Sequence, residues 1–392
     1  MNFKEIKSKI KSFVEDELFP LEPWILNSEW DEKLPKLNEL RGKVKSIGLW
    51  LPQISKEYGG LGLTLEQHGE VSEIIGASPY GFYVLNCQAP DAGNMEILIE
   101  CGSEEQKEQY LQPLLDGKIR SCFAMTEPDF AGSNPVKMGT VAVRENDHYI
   151  INGHKWFASG FDGAEFAIVM LVTDPEGNDP HKKASQIIVP TKAKGVKFIR
   201  NISIMGHPGG GWESHAEIKF NNVKVPSSNV LGEEGEGFAI AQKRLGPGRI
   251  HHCMRMIGQA ERALELLCKR STSRIAFGKP LAELGGNYDI IADCRTEIEM
   301  CRLLTLKAAY MMDKVGNKVA RSEIAQIKVA VPNMALRVID KAIQIHGGAG
   351  VSQDTPLAKL YAGMRTLRIA DGPDEVHRRT VARMELAKYS DS

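Results

Sequence analysis

The sequence predicts an α+β protein in three parts: a helical domain, a β domain and a second helical domain. Three observations predict it. Amphipathic helical patterns run from residue 1 to about 120, short alternating runs of β-branched and aromatic residues fill about 121–235, and long apolar stripes at helical spacing return after Gly237. The expected boundaries are therefore 1–121, 122–236 and 237–392. A chain of 392 residues is too long for one ordinary small domain, and its 42% hydrophobic content allows a sizeable core in each part.

The opening run MNFKEIKSKIKSFVEDEL places Phe3, Ile6, Ile10, Phe13 and Leu18 on one face of a charged helix, which does not read as a signal peptide. Further helices are expected over 34–50, 65–77, 95–102 and 103–115, the last with Ser103 and Gln106 at capping-box spacing. Two turn signals, Glu145-Asn146-Asp147 and Asn152-Gly153, divide the β-type run 141–157. Strand patterns follow at 185–190 and 214–226, with Ala216, Ile218 and Phe220 on alternate positions. Residues 254–270 carry the stripe Met256, Ile257, Ala260, Ala263, Leu264 and Leu267, and 323–348 is similar, with a kink or boundary expected at Pro332.

Composition narrows the function. The formal net charge is −1, so no positive field favours nucleic acid or anionic membrane. Apolar runs such as 167–172 are far too short to span a bilayer. Seven scattered cysteines without a CxxC pair read as free thiols of a reducing, cytoplasmic compartment. No GxGxxG follows a strand and no GxxxxGK[ST] occurs, so any dinucleotide is held in some other way.

Chemistry concentrates in a few segments. In RIADGPDEVH (368–377), Asp371 precedes Gly372 and Pro373 at a break between helices, with apolar Ile369 and Ala370 beside it. It reads either as a general base or as a cap for the helix starting at Pro373, favoured by Asp374 and Glu375. The loop CFAMTEPDFAGSN (122–134) offers small residues and hydroxyls to a polar ligand, or is an ordinary loop. Trp156 and Phe157, within HKWFASG, are core residues by default and stacking partners as the alternative. Arg274 alone reads as a surface residue, Gly347 and Gly348 as a helix C-cap, and His346 as structural. His251 and His252, adjacent on a helix, point in different directions and are assigned no metal.

Read together, AMTEP, AGSN, KWFASG, RIAFGKPL (274–281), QIHGGAGV (344–351) and DGPDEVH resemble the ordered motifs of the acyl-CoA dehydrogenase family across the whole chain. GPGRIHHCMR (246–255) and the Asp at 371 are similar to the branch of family members 10 and 11, where most other members carry Glu. The resemblance implies an antiparallel, barrel-like β domain, a C-terminal four-helix bundle and an FAD between them. It implies flavin contacts from Phe123, Met125, Thr126, Ser133, Trp156 and Ala158, and from Pro373, Asp374 and Glu375. Arg274, Phe277, Gln344, Gly347 and Gly348 would reach the FAD of a neighbouring subunit, and Ser133, Arg249 and Gly372 the acyl-CoA. Three departures stand out: a TEP loop one residue longer, Leu284-Gly285 in place of His-Gln, and Gly246-Pro247-Gly248 in place of a more polar segment.

The implied reaction is α,β-dehydrogenation of an acyl-CoA, with Asp371 removing the α-proton and hydride passing to flavin N5. A dry site is expected to raise the pKa of that carboxylate. The implied partners are an acyl-CoA substrate, an electron-transfer flavoprotein as acceptor, and further copies in a homotetramer built as a dimer of dimers. A nitroalkane-type oxidase on the same fold is the alternative.

Overall fold

The opening stripe folds into α1 (Phe3–Phe13), started by Asn2, which exchanges capping bonds with Glu5. The structure, a computed structural model, describes residues 1–390; the last two residues of the expected third domain lie outside the described residues. Helices α2 (Trp30–Ser46), α3 (Leu65–Gly76) and α4 (Asp91–Cys101) complete the main frame of the N-terminal part. Ser103 and Gln106 form the expected capping box at the next turn. Ile6, Ile10, Phe13 and Leu18 are all buried, as the stripe requires.

The middle of the chain is one curled sheet of β1 (Ser121–Ala124), β2 (Val141–Glu145), β3 (His148–Ser159), β4 (Phe166–Val172), β5 (Ala184–Pro190), β6 (Val196–Asn201) and β7 (His215–Pro226). Its order is β1-β4-β2-β3-β7-β6, with β5 also on β4. The expected all-antiparallel pairing is corrected at β4, which runs parallel to both β1 and β2. That strand is buried on both faces, the usual condition for parallel pairing. Phe166 and Ile168 face a core shared with Met95 and Leu98 of α4, whereas Ala167, Val169 and Leu171 face the core inside the sheet. The alternation at Ala216, Ile218 and Phe220 holds, all three being buried.

Only the first of the two turn signals makes a turn. Asn146, at φ +56°, closes the β2–β3 hairpin. Asn152-Gly153 instead lies inside β3, where the register against β7 shifts between Ile151 and Gly153. A Cβ at Gly153 would collide with the Thr140 side chain, so this glycine serves close approach rather than reversal.

The C-terminal part consists of α5 (Gly237–Ser273), a small hairpin of β8 (Ile275–Ala276) and β9 (Lys279–Pro280), α6 (Asn287–Val319), α7 (Arg321–His346), α8 (Leu357–Thr366) and α9 (Asp374–Leu386). Helices α5, α6 and α7 pack side by side, α9 lies against α7, and α3 reaches across from the first domain onto α5 and α6. All six residues of the 256–267 stripe are buried in this bundle. Helix α7 runs through Pro332 without the expected boundary. Proline removes one helical bond there, while Val331, Met334 and Ala335 are fully buried around it, and that packing outweighs the loss.

Gly153→Ala should lower the stability of the sheet by about 1–3 kcal/mol through overpacking against Thr140. Denaturant unfolding followed by tryptophan fluorescence checks this; a variant as stable as the parent would contradict the close-approach assignment.

Candidate functional site

Between the end of α8 and the start of α9 the chain turns a tight corner, and Asp371 sits at its apex with φ +57°, followed by Gly372 at φ +101°. Left-handed backbone is rare for residues with a Cβ, and Asp is among those that tolerate it best. Gly372 has no alternative, since a Cβ there would come within 2.8 Å of the His377 ring. The corner is held at its carbonyls. Lys328 Nζ donates to Leu367 O at 2.7 Å and to Ala370 O at 2.8 Å, and Arg249 Nε donates to Asp371 O at 3.1 Å. His377 Nε2 meets the same Asp371 carbonyl at 3.2 Å.

The Asp371 carboxylate does not cap α9. The N-cap residue is Pro373, which offers no side-chain bond, and Asp371 Oδ2 lies instead 3.0 Å from His252 Nε2 on α5. The apolar neighbourhood expected from Ile369 and Ala370 is also absent, because both are exposed. Burial pushes the Asp371 carboxyl up, but the His252 bond and the nearby charges of Lys328 and Arg244 prevail and hold it well below the usual carboxylate range. The expected rise in pKa is thereby corrected. The physical reason is His252 on α5, foremost, with the charges of Lys328 on α7 and Arg244 on α5 behind it.

His251 and His252 do point apart. The His251 ring meets that of His68 edge-on at 4.5 Å, while His252 Nδ1 lies 2.7 Å from Arg255 Nη2. Burial drives both histidines down from their ordinary value. Arg255 is itself pushed down to about 10 by burial. Nearby, burial raises Glu96 to about 7 against the pull of Arg244.

A second set of predicted residues gathers on the sheet. Trp156 N–H donates to Thr126 O at 3.0 Å and Thr126 Oγ1 donates to Trp156 O at 2.7 Å, which clips the TEP loop to β3. The β3–β7 register shifts again between Lys155 and Ala158, so Trp156 and Phe157 bulge out of the ladder. Phe157 adopts φ +50° and is 42% exposed, with its ring centroid 5.0 Å from that of Trp156. Trp156 is accordingly half-buried and is not the core residue it would be by default. Ala158 is buried in the sheet core, Phe123 lies under Arg244 at 4.2 Å, and Met125 is half-exposed. Two aromatic faces, the Thr126 hydroxyl and an open Ser133 loop fit a flat, polar heterocycle such as a flavin.

Beneath this shelf lies a pair that sequence reasoning missed. Lys155 is fully buried, and its Nζ donates to Met125 O at 2.7 Å and to Glu127 Oε1 at 2.8 Å. Glu127 in turn accepts the Gly139 and Thr140 N–H groups. Burial pushes Lys155 down to about 8 against the pull of Glu127. The two residues belong to the motifs AMTEP and HKWFASG, but nothing local marks them as partners.

Arg274, Phe277, Gln344, Gly347 and Gly348 are all exposed on the single chain. Phe277 and Gly278, both at positive φ, form the tip of the β8–β9 hairpin, and Phe277 is 97% exposed. Gly347 ends α7 at φ +62°, the C-cap role read from the sequence, and His346 Nδ1 bonds to Ala342 O at 2.8 Å. Glu375 faces solvent, while Asp374 is buried and accepts from Arg368 and Asn333.

Comparison with known proteins covers the whole of this architecture. Residues 2–118, 122–223 and 235–386 match the family models for the acyl-CoA dehydrogenase N-terminal, middle and C-terminal domains. The chain is 47% identical over 402 residues to mouse acyl-CoA dehydrogenase family member 10, covering 99% of this chain and 37% of that protein. It is 49% identical over 360 residues to a probable acyl-CoA dehydrogenase, FadE2, of Mycobacterium tuberculosis, covering 90% and 86%. The structure of a putative acyl-CoA dehydrogenase from Mycobacterium abscessus matches with a TM-score of 0.94 at 44% identity, over 99% of this chain and 98% of that one. The chain thus spans well under two thirds of the mouse relative it matches.

Two outcomes follow from the buried charges. Lys155→Met leaves the Glu127 carboxylate buried without its ammonium and should destabilise the protein by about 3–5 kcal/mol, read by denaturant unfolding. His68, fully buried, is pushed by burial from 6.5 down to about 4. The unfolded chain then binds the proton more readily, so stability is intact above about pH 6.5 and falls as pH drops toward 4, by on the order of 3 kcal/mol for this group. Melting curves from pH 8 to 4 should show this loss, and His68→Gln should make it shallower.

Proposed function

Because the chain belongs to the acyl-CoA dehydrogenase family, we propose that it is an FAD-dependent enzyme that removes hydrogens from Cα and Cβ of an acyl-CoA thioester, with Asp371 as the base. One observation carries the assignment of the base. Asp371 is the carboxylate held at a strained corner between α8 and α9, near Arg244, Arg249 and Lys328, with one oxygen 3.0 Å from His252 Nε2. Backbone strain kept by surrounding structure is a mark of function.

When bound, FAD supplies the acceptor for the hydride leaving Cβ. Phe123, Met125, Thr126, Trp156 and the backbone at Ala158 would hold it on the sheet, with Pro373 beside it. The Asp371 carboxylate, ionised throughout the neutral range, takes the α-proton without first having to lose one of its own. As its negative charge is neutralised, negative charge develops on the thioester. Arg244, Arg249 and Lys328 remain in place to attract it, so the charge moves without leaving its countercharges. Arg249 and Gly372, both at the corner, are the proposed contacts to the substrate.

Assembly and redox partner follow from the same reading. The almost fully exposed Phe277 at the hairpin tip, beside exposed Arg274, supports burial against a second subunit and a homotetramer. An electron-transfer flavoprotein is the proposed acceptor. Seven unpaired cysteines support a reducing compartment such as the cytoplasm.

The test is an anaerobic titration of flavin-loaded protein with butyryl-, octanoyl- and palmitoyl-CoA, extended to 4-hydroxy- and 4-phosphoacyl-CoA. Flavin bleaching by one of these is expected. Bleaching by nitroethane alone would overturn the reading in favour of the oxidase. Asp371→Asn should retain flavin yet reduce it about 10²–10⁴-fold more slowly; reduction at the parental rate would remove Asp371 from the chemistry.

A further inference from the structure

Three side chains stand in a line that ends on Asp371, the first contact a hydrogen bond and the second a close ring-to-carboxylate approach. Arg255 Nη2 lies 2.7 Å from His252 Nδ1, and His252 Nε2 lies 3.0 Å from Asp371 Oδ2. A guanidinium can only donate, so His252 Nδ1 must accept and carries no proton. The single proton of the neutral ring then sits on Nε2, the nitrogen 3.0 Å from the carboxylate. Both ring nitrogens are committed, and a second proton on Nδ1 would confront the Arg255 guanidinium.

Asp371 needs such a tie. Its backbone is at φ +57° and its side chain is short, so the direction of the carboxylate decides whether an oxygen can reach a substrate α-carbon. We propose that His252, held as the Nε2–H tautomer by Arg255, is a positioning residue that fixes Asp371 Oδ2 and leaves Oδ1 as the atom that takes the α-proton. The inference rests on Asp371 being the base. In the transfer the Cα–H bond breaks, its electron pair stays with the substrate, and an O–H bond forms at Oδ1. The proton goes no further, because His252 Nε2 is already protonated and Nδ1 is blocked. The other charged or titratable groups facing this line are Arg244, Arg249 and Cys253 on α5, Cys87 ahead of α4, Lys328 on α7 and His377 on α9, with His251 turned to His68 on α3.

Two measurements on the flavin-loaded protein test the proposal. Nitrogen NMR of histidine-labelled protein, with His252 assigned by its loss in His252→Gln, should show the proton on Nε2 and a bare Nδ1 from pH 5 to 9. A proton on Nδ1 overturns the proposal whatever the kinetics show. Anaerobic bleaching is then followed over the same range with whichever of butyryl-, octanoyl- or palmitoyl-CoA reacts fastest with the parent. His252→Leu should slow bleaching about 10²-fold with little change in half-saturating concentration. His252→Gln, whose amide can donate to Oδ2, should recover most of that loss. Arg255→Met frees Nδ1, so an ionisation absent from the parent should appear between about pH 5 and 7. Parental rates in His252→Leu, or a parental pH profile in Arg255→Met, overturn the proposal. If Asp371→Asn is inactive while His252→Leu is not, the positioning role alone fails; if Asp371→Asn is fully active, the base assignment fails instead.

Discussion

Lys328 reaches from the middle of α7 to two carbonyls, Leu367 O and Ala370 O, that no longer have helical partners once α8 has ended. Left alone in the interior, each such carbonyl would cost about 1–3 kcal/mol. Arg249 and His377 do the same for the carbonyl of Asp371. A corner with two consecutive left-handed residues can persist only because these donors meet it. Burial disfavours the Lys328 ammonium, and the Asp371 carboxylate is the leading charge that restores it. Corner and cations therefore stabilise each other: the cations hold the backbone, and the carboxylate it carries keeps them charged.

This coupling sets what kind of base the proposed assignment would make of Asp371. A carboxylate in an apolar slot gains basicity through desolvation, but this one sits among guanidinium and ammonium groups that favour its ionised form. In the proposed role, such a site would give up driving force for proton capture and gain stabilisation of the anion that replaces the carboxylate. Its effectiveness depends on geometry, because the countercharges must serve both positions of the negative charge. The sheet makes the complementary demand. Its Trp156-Phe157 bulge is seated on the Lys155–Glu127 pair, a buried charge couple that anchors the loop and the strand to each other.

Much of the frame could be read from local pattern. The stripe at 256–267, the alternation at 216–220 and the Ser103 cap depend only on neighbours within a turn or a strand, and each is found where the periodicity places it. The misreadings share a cause as well. Asn152-Gly153 has the composition of a hairpin turn, but the glycine is required by Thr140, which a local window does not see. Asp371 looks like a cap because caps are local; its real partners lie on α5 and α7, and Arg249 is separated from it by 122 residues. Lys155 and Glu127 are 28 residues apart and look like ordinary surface charges until the strand and the loop are brought together. Family resemblance located the segments, but the hydrogen bonds among them are set by tertiary placement.

The left-handed corner also bears on how the carboxylate at this position could change over evolutionary time. Asp tolerates that backbone far better than a longer side chain, and its reach is matched to the His252 nitrogen on α5. Exchanging Asp for Glu is a single step in sequence but not in structure. The longer side chain would need a relaxed backbone at 371, room near His252 and a different set of donors for the 367–371 carbonyls. Glu- and Asp-bearing chains of this fold would then occupy separate neighbourhoods of sequence space, joined only by paths that remodel the corner and two helix faces together.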